Sequence, residues 1–430
     1  MHNNSYELLT NHLGISPNVL NAVNKAEEEL KDIFDPLDDI MAFNQYKVLL
    51  AFQENRVSSS HFAWNTGYGF NDLGREMLER VYASIFKTED ALVRPLMVNG
   101  THALSLTLTG ILRPGDELIY CTGRPYDTLE EVIGIRGEGK GSLKDFGITY
   151  KQVELNEDGR IDLDALKNAI SPATKMVCIQ RATGYGWRRG ITIAEIEKCT
   201  SFVKSINPNI ICMADNCYGE FVDIKEPTEV GIDVLAGSLI KNPGGGIVVG
   251  GGYIVGKADL IEMISYRMTT PASGAECGLM YDQTRSMFQG LFMAPKVVNA
   301  ATRGAILCTK VFQNLGYEVC PKPDDTRSDI ISAIKLLSPE AVIAFGEGIQ
   351  AAAPIDAHIT PIPWEIPGYG DPIIMAAGTF IQGSTIELSA DAPIREPYIA
   401  YFQGGLTYEH SKFGVAKALQ ALYDKKLVNI

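Results

Sequence analysis

The sequence predicts an α/β protein with a large, mostly parallel-sheet domain and a smaller C-terminal α/β domain. Three observations carry this. The chain has 430 residues, 46% of them hydrophobic, which is more than one core normally organises. Between about residues 90 and 260, short apolar runs alternate with amphipathic stretches, the mark of strands crossing over through helices. The last 110 or so residues carry strand-like runs of their own, such as Ile373 to Leu388.

Taken in order, residues 1–60 read as a helical arm. Ile40, Phe43, Tyr46, Leu49, Leu50 and Phe52 recur at helical spacing, and Ser58-Ser59-Ser60 ends the pattern. The segment has too little apolar surface to be a domain, so it is expected to pack on something larger. Residues 61–310 form the large domain. Glu117–Cys121, Lys175–Gln180 and Ile210–Ala214 read as buried strands. A helix is expected from Ile193 to Ile206, because Thr192 and Glu195 have capping-box spacing and Asn207-Pro208 stops it. Ile247–Val249 reads as a short strand between the glycine clusters 244–246 and 250–252. Those clusters lack a phosphate-loop lysine and read as turns passing close to a ligand. A long helix is expected from about Pro295 to Leu315, and residues 311–430 form the small domain.

Composition excludes several functions. The net charge is −14 with no basic run, which argues against nucleic acid. No apolar run reaches membrane-spanning length and the N-terminus lacks a signal-peptide pattern, so a cytoplasmic protein is expected. The eight cysteines form no C-x-x-C pair and the six histidines are scattered, so neither a metal site nor disulfides are expected.

The chemistry lies at predicted strand ends. Asp215 closes one apolar run, and Lys241 follows another, 26 residues later, just before a glycine cluster. Desolvation there is expected to lower the lysine's pKa and free its amine as a nucleophile. Gly100-Thr101 opens a helix whose backbone N–H groups suit a phosphate, and Ser238 lies three residues before Lys241. Tyr126 follows a further strand, where its ring suits a flat ligand. Singly, each has an ordinary explanation: a turn aspartate, a loop lysine, a helix start, a packed aromatic. Their order is what pyridoxal 5'-phosphate (PLP) requires: phosphate loop, aromatic, carboxylate for the pyridinium nitrogen, and a lysine for the Schiff base.

These residues sit in segments that resemble the fold-type-I PLP-dependent enzymes. Within them the chain resembles the cystathionine lyase branch, and in particular the aluminium resistance protein or methionine gamma-lyase-like family. The resemblance covers about residues 61–410. It is carried by Gly67–Arg75, Asn99–Ala103, Ala214–Glu220, Gly237–Gly245, Met375–Ser384, Glu387–Pro397 and Gln403–Tyr408, of which the last three are the most family-specific. It implies a homotetramer of dimers with sites at the dimer interface. Tyr68, and with it Arg75, would reach the phosphate of a neighbouring subunit's cofactor. Asp215 would face the ring nitrogen, Tyr126 the ring, and Gly100, Thr101 and Ser238 the phosphate. Arg395 is the candidate for the substrate carboxylate, since bidentate pairing orients an amino acid; a surface ion pair is its ordinary alternative. Where the family has Gln-Arg-Ser-Lys/Arg-Gly-Tyr, this chain has Gln180-Arg-Ala-Thr-Gly-Tyr185, which leaves substrate preference open.

The activity implied is carbon–sulfur bond cleavage in a sulfur-containing amino acid, of the cystathionine beta-lyase or methionine gamma-lyase type. An aminotransferase or aldolase on the same fold is the alternative enzyme. A PLP-binding stress protein with little catalysis is the alternative from another class, although the sequence has no acidic or Cys/His cluster suited to a metal.

Overall fold

The computed structural model of the chain describes residues 3–365 and 370–430, so the first two residues of the expected arm lie outside it. The chain forms two compact units: residues up to Met41 together with Lys296–Ile430, and Ala42–Pro295. Three helices open the chain: α1 (Asn3–Glu7), α2 (Pro17–Glu28) and α3 (Lys31–Glu54), the last crossing the division between units.

Within Ala42–Pro295 the order is α4 (Leu73–Phe86), β1 (Asp90–Arg94), α5 (Gly100–Ile111), β2 (Glu117–Tyr120), α6 (Asp127–Ile133), β3 (Thr149–Gln152), α7 (Leu163–Ala169) and β4 (Thr174–Gln180). It continues with α8 (Ile193–Ile206), β5 (Ile211–Asp215), β6 (Val234–Ser238), β7 (Gly252–Gly256) and α9 (Ala258–Met268), and then enters α10 (Thr284–Asn314). The seven strands lie in the order β1-β7-β6-β5-β4-β2-β3. Only β7 runs against the rest, pairing antiparallel with β1 and β6. All but the edge strand β3 are largely buried because helices cover the sheet: Leu118, Met176, Met213, Val234 and Ile254 share one core with Leu104 and Leu108 of α5 and Ile261 and Ile264 of α9. Helix α8 starts on the expected capping box, with Thr192 Oγ1 and the Glu195 carboxylate each taking the other's backbone N–H. The carboxyl ends of β4, β5 and β6 bring Gln180, Asp215 and Ser238 to one edge of the sheet, where such folds bind ligands.

The other unit holds β8 (Val319–Cys320), β9 (Ile331–Lys335), α11 (Pro339–Ala352), β10 (Ile373–Ala376), β11 (Ser389–Pro393), β12 (Ile399–Gln403) and α12 (Tyr408–Asp424). Its strands form an antiparallel sheet ordered β10-β11-β12-β9-β8. Val19, Leu20, Val23, Leu30 and Phe34 of the N-terminal helices are buried in the same core as Phe345, Phe402 and Leu419. The expected arm is therefore divided: its part up to Met41 belongs to this unit and its core, and the rest to the Ala42–Pro295 unit.

Three expectations need correction. Ile247–Val249 is not a strand: Val249 is 66% exposed, and the strand is β7. The glycines around it serve the fold's own backbone. A Cβ at Gly244 would lie 1.8 Å from the Leu239 carbonyl oxygen, and one at Gly245 would lie 2.4 Å from that of Gly290. The long helix starts at Thr284 and passes through Pro295. Met287, Phe288, Leu291 and Ala294 are buried at helical spacing, and that packing outweighs the proline's missing N–H. Finally, Ile373–Leu388 is not one strand, since β10 stops at Ala376 and the next begins at Ser389.

Candidate active site

Lys241 lies three residues past β6 in the Ala42–Pro295 unit; its side chain is half-buried and its Nζ lies over the Tyr218 ring, 4.3 Å from the centroid. Asp215 ends β5, is 8% exposed, and accepts a hydrogen bond from the Cys217 N–H at 3.1 Å. Burial pushes its carboxyl up, while the charge of Lys241 and the Cys217 N–H pull it back, and the net direction is upward. For Lys241, burial disfavours the ammonium, but Cys217, Tyr218, Asp215 and Glu220 around it outweigh burial and favour the charged form. This reverses the sequence expectation. An apolar strand before the lysine suggested desolvation alone, but the fold closes the polar turn 215–220 against it.

The phosphate-type elements converge on the same edge. Asn99 caps α5 by accepting the His102 N–H, leaving the helix N-terminus at Gly100-Thr101. A Cβ at Gly100 would meet Ser238 Cβ at 3.1 Å and Cys217 Sγ at 3.4 Å, so glycine lets the helix start settle against β6 and the turn after β5. Thr101 Oγ1 hydrogen bonds Thr128 Oγ1 at 2.6 Å, which puts the start of α6, and with it Tyr126 directly before that helix, beside α5. The Tyr126 ring lies 5.8 Å from that of Tyr185.

Gln180 joins the two halves. It is the register partner of Asp215 across β4 and β5, and its buried Oε1 has no hydrogen-bond partner. A Cβ at Gly184 would sit 2.8 Å from Gln180 Nε2 and 3.5 Å from Tyr126 Cδ2. A buried acceptor left open between a ring and a carboxylate is what a site for a flat polar ligand presents. The groups available to hold one are therefore Lys241, Asp215, Gln180, Tyr126 and the α5 N-terminus with Thr101 and Ser238. Sequence reasoning missed Gln180, Tyr218 and Glu220 as site residues. The Gln180 signal was its place at a strand's carboxyl end; the others depend on a turn whose shape is tertiary.

Three other named residues make contacts of their own. Tyr68 is 79% exposed, with its ring 5.7 Å from that of Phe70. Arg75 is wholly buried, its guanidinium donating to the carbonyls of Gly69, Gly278 and Glu276, so it braces the loop that carries Tyr68. Arg395 belongs to the other unit, where it is half-exposed and pairs with Asp371 at 2.8 Å. In the stretch that departs from the family pattern, Ala182 and Thr183 are buried, and the Arg188 guanidinium donates to the carbonyls of Gln180 (3.1 Å) and Ala182 (2.6 Å).

Glu220, behind Lys241, is fully buried and accepts the Tyr253 hydroxyl at 2.5 Å. Burial, against the pull of the Tyr253 hydrogen bond, pushes its carboxyl up to about 8. The folded state then holds a proton that the unfolded chain gives up near pH 4.5, so this group makes stability fall as pH rises from about 4.5 to about 8. Glu220→Gln is expected to remove that slope, of about 1.4 kcal/mol per pH unit at most. Thermal unfolding of both proteins across that range checks it; identical slopes would contradict the assignment.

A family model described as methionine gamma-lyase matches residues 19–423. The Bacillus subtilis (strain 168) protein YnbB is 51% identical over 405 residues, 94% of this chain and 96% of that one. A crystal structure from Clostridium novyi NT, a carbon-sulfur lyase involved in aluminum resistance, superposes with a TM-score of 0.94 at 51% identity, covering 98% of this chain and 99% of that one. The Escherichia coli PLP-dependent protein YhfS shares the architecture, with a TM-score of 0.61 at 17% identity over 90% of this chain and 97% of that one. That likeness is one of fold alone, and the fold is fold type I.

Proposed function

This chain belongs to the methionine gamma-lyase family, and from that premise we propose that it cleaves the carbon–sulfur bond of a sulfur-containing amino acid, with PLP held at Lys241. The observation that carries the site assignment is the half-buried Lys241, its amine over the Tyr218 ring and electrostatically coupled to Asp215, at the strand edge that also holds Ser238 and the α5 N-terminus.

The residues fit the cofactor. The N-terminus of α5, with Thr101 and Ser238, would take its phosphate through backbone N–H groups and hydroxyls. Tyr126 would cover the ring, and Gln180 Oε1 would gain the partner it lacks. Asp215, buried and pushed toward protonation, would be held ionised by a cationic ring nitrogen. When bound, PLP draws electron density away from the substrate Cα. The Lys241 amine, which would hold the cofactor at rest, would serve when free as the general base for the substrate Cα proton. Loss of sulfur from Cβ would follow directly, and loss from Cγ would need a Cβ proton removed as well; in either case the leaving sulfur would take up a proton to become a thiol, and water would complete the release of a 2-oxo acid and ammonia. Arg395 is our candidate for the substrate carboxylate.

We also propose a dimer of dimers. Tyr68, Trp64 and Phe70 are 79%, 59% and 54% exposed on one loop, which supports cover by a second copy and a role for Tyr68 in the neighbouring site.

Incubation of the PLP-loaded protein with cystathionine or methionine is expected to release thiol and 2-oxo acid in equal amounts. Conversion of the cofactor to pyridoxamine phosphate without thiol would point to an aminotransferase. Bound PLP with no turnover would point to a binding protein.

A further inference from the structure

The turn after β5 holds two non-glycine residues in the left-handed region, Tyr218 at φ 67° and Phe221 at φ 62°. A bulky residue there is strained and persists only where its surroundings over-determine it. Here they do. Arg181, itself 1% exposed, donates to Asn216 Oδ1 at 3.0 Å and to the Gly219 carbonyl at 2.7 Å. Asn242 Nδ2 holds the Glu220 carbonyl at 2.9 Å, and Asn44 Nδ2 holds those of Phe221 and Asp223 at 3.1 and 3.0 Å. Glu226 accepts the Phe221 N–H at 2.9 Å and Asn216 Nδ2 at 3.2 Å. Gly219 leaves room for this clamp, since a Cβ there would lie 2.6 Å from Arg181 Cδ.

The outcome of the strain is one contact: the buried Tyr218 ring lies face-on beneath the Lys241 amine. We propose that Tyr218 is a catalytic residue whose ring face receives the Lys241 ammonium whenever that amine is free of cofactor and carries a proton. The inference rests on Lys241 being the cofactor lysine. A ring face stabilises a desolvated cation and scarcely affects a neutral amine. Tyr218 would therefore keep the released lysine in place and charged between taking the Cα proton and returning it. Asp215, Cys217 and Glu220 are the other titratable groups that bear on the amine. Asp215 is also expected to be matched to the ring nitrogen during turnover, which leaves the aromatic face as the ammonium's own support.

The test uses the wild type, Tyr218→Phe, Tyr218→Leu and Tyr218→Gly, the last removing the ring while relaxing the strained backbone. For each, the PLP-free protein is mixed with PLP across pH and the rate of appearance of the visible band is followed, because only the neutral amine captures the cofactor. The Phe variant is expected to follow the wild type. In the Leu and Gly variants the midpoint of the rate profile should fall by about one pH unit, with roughly tenfold faster capture below it. Lyase turnover in both should fall by about tenfold. A wild-type midpoint in both ring-less variants, or a Phe variant shifted as far as they are, would overturn the role of the ring face. A wild type that captures no PLP would overturn the Lys241 assignment itself and this inference with it.

Discussion

Lys241→Ala is expected to lower lyase turnover by at least about 10³-fold, because one substitution removes both the group that carries the cofactor and the base that takes the Cα proton. The fold should survive. Alanine there loses the cation–π contact with Tyr218 and the charge that the surrounding groups favour, and it leaves a small cavity; that costs some stability, while the half-buried side chain makes no other contact among the described residues that the fold depends on. The check is turnover beside a thermal unfolding curve. Lost activity with a retained transition supports the assignment; activity within about tenfold of wild type would remove Lys241 from the chemistry. Added primary amines are expected to restore part of the rate, since they replace the base but not its tether.

Asp215→Asn is the second large effect. The carboxylate is buried at the end of β5, beside Gln180 on the neighbouring strand. Leaving a buried cationic partner without its counter-charge costs about 3–5 kcal/mol, which corresponds to roughly 10²–10⁴ in rate if it falls on the transition state. The amide keeps the shape and can still accept the Cys217 N–H, so the fold should change little. The loss is expected mainly in kcat, with PLP still bound at saturating cofactor. Equal turnover in the Asn variant would show that Asp215 does not face the cofactor's nitrogen.

Much of this site could be read from sequence because its parts sit where local rules are strict. Asp215 and Ser238 end apolar strands, the Thr192–Glu195 box starts a helix, and Gly100 stands at a capped N-terminus. Each follows from spacing over a few residues. What escaped depends on contacts between distant segments. The left-handed Tyr218 is held by Arg181, Asn242 and Asn44, and nothing at positions 215–222 announces those partners. The upward shift of Lys241 has the same origin, since its neighbours come from the turn after β5. Two misread elements show general rules outweighed by packing. Pro295 looked like a helix start, yet the buried face before it carries α10 through. Ile247–Val249 looked like a strand, yet Gly244 and Gly245 before it pack against the Leu239 and Gly290 carbonyls and the segment runs on as a turn and irregular chain.

The central claim is that Lys241 carries the cofactor. The most direct measurement is borohydride reduction of the PLP-loaded protein, followed by digestion and mass mapping of the modified lysine. A single phosphopyridoxyl group on Lys241, with the visible band lost in parallel, is the predicted result. A label on another lysine, or no label from a protein that turns over substrate, would contradict it.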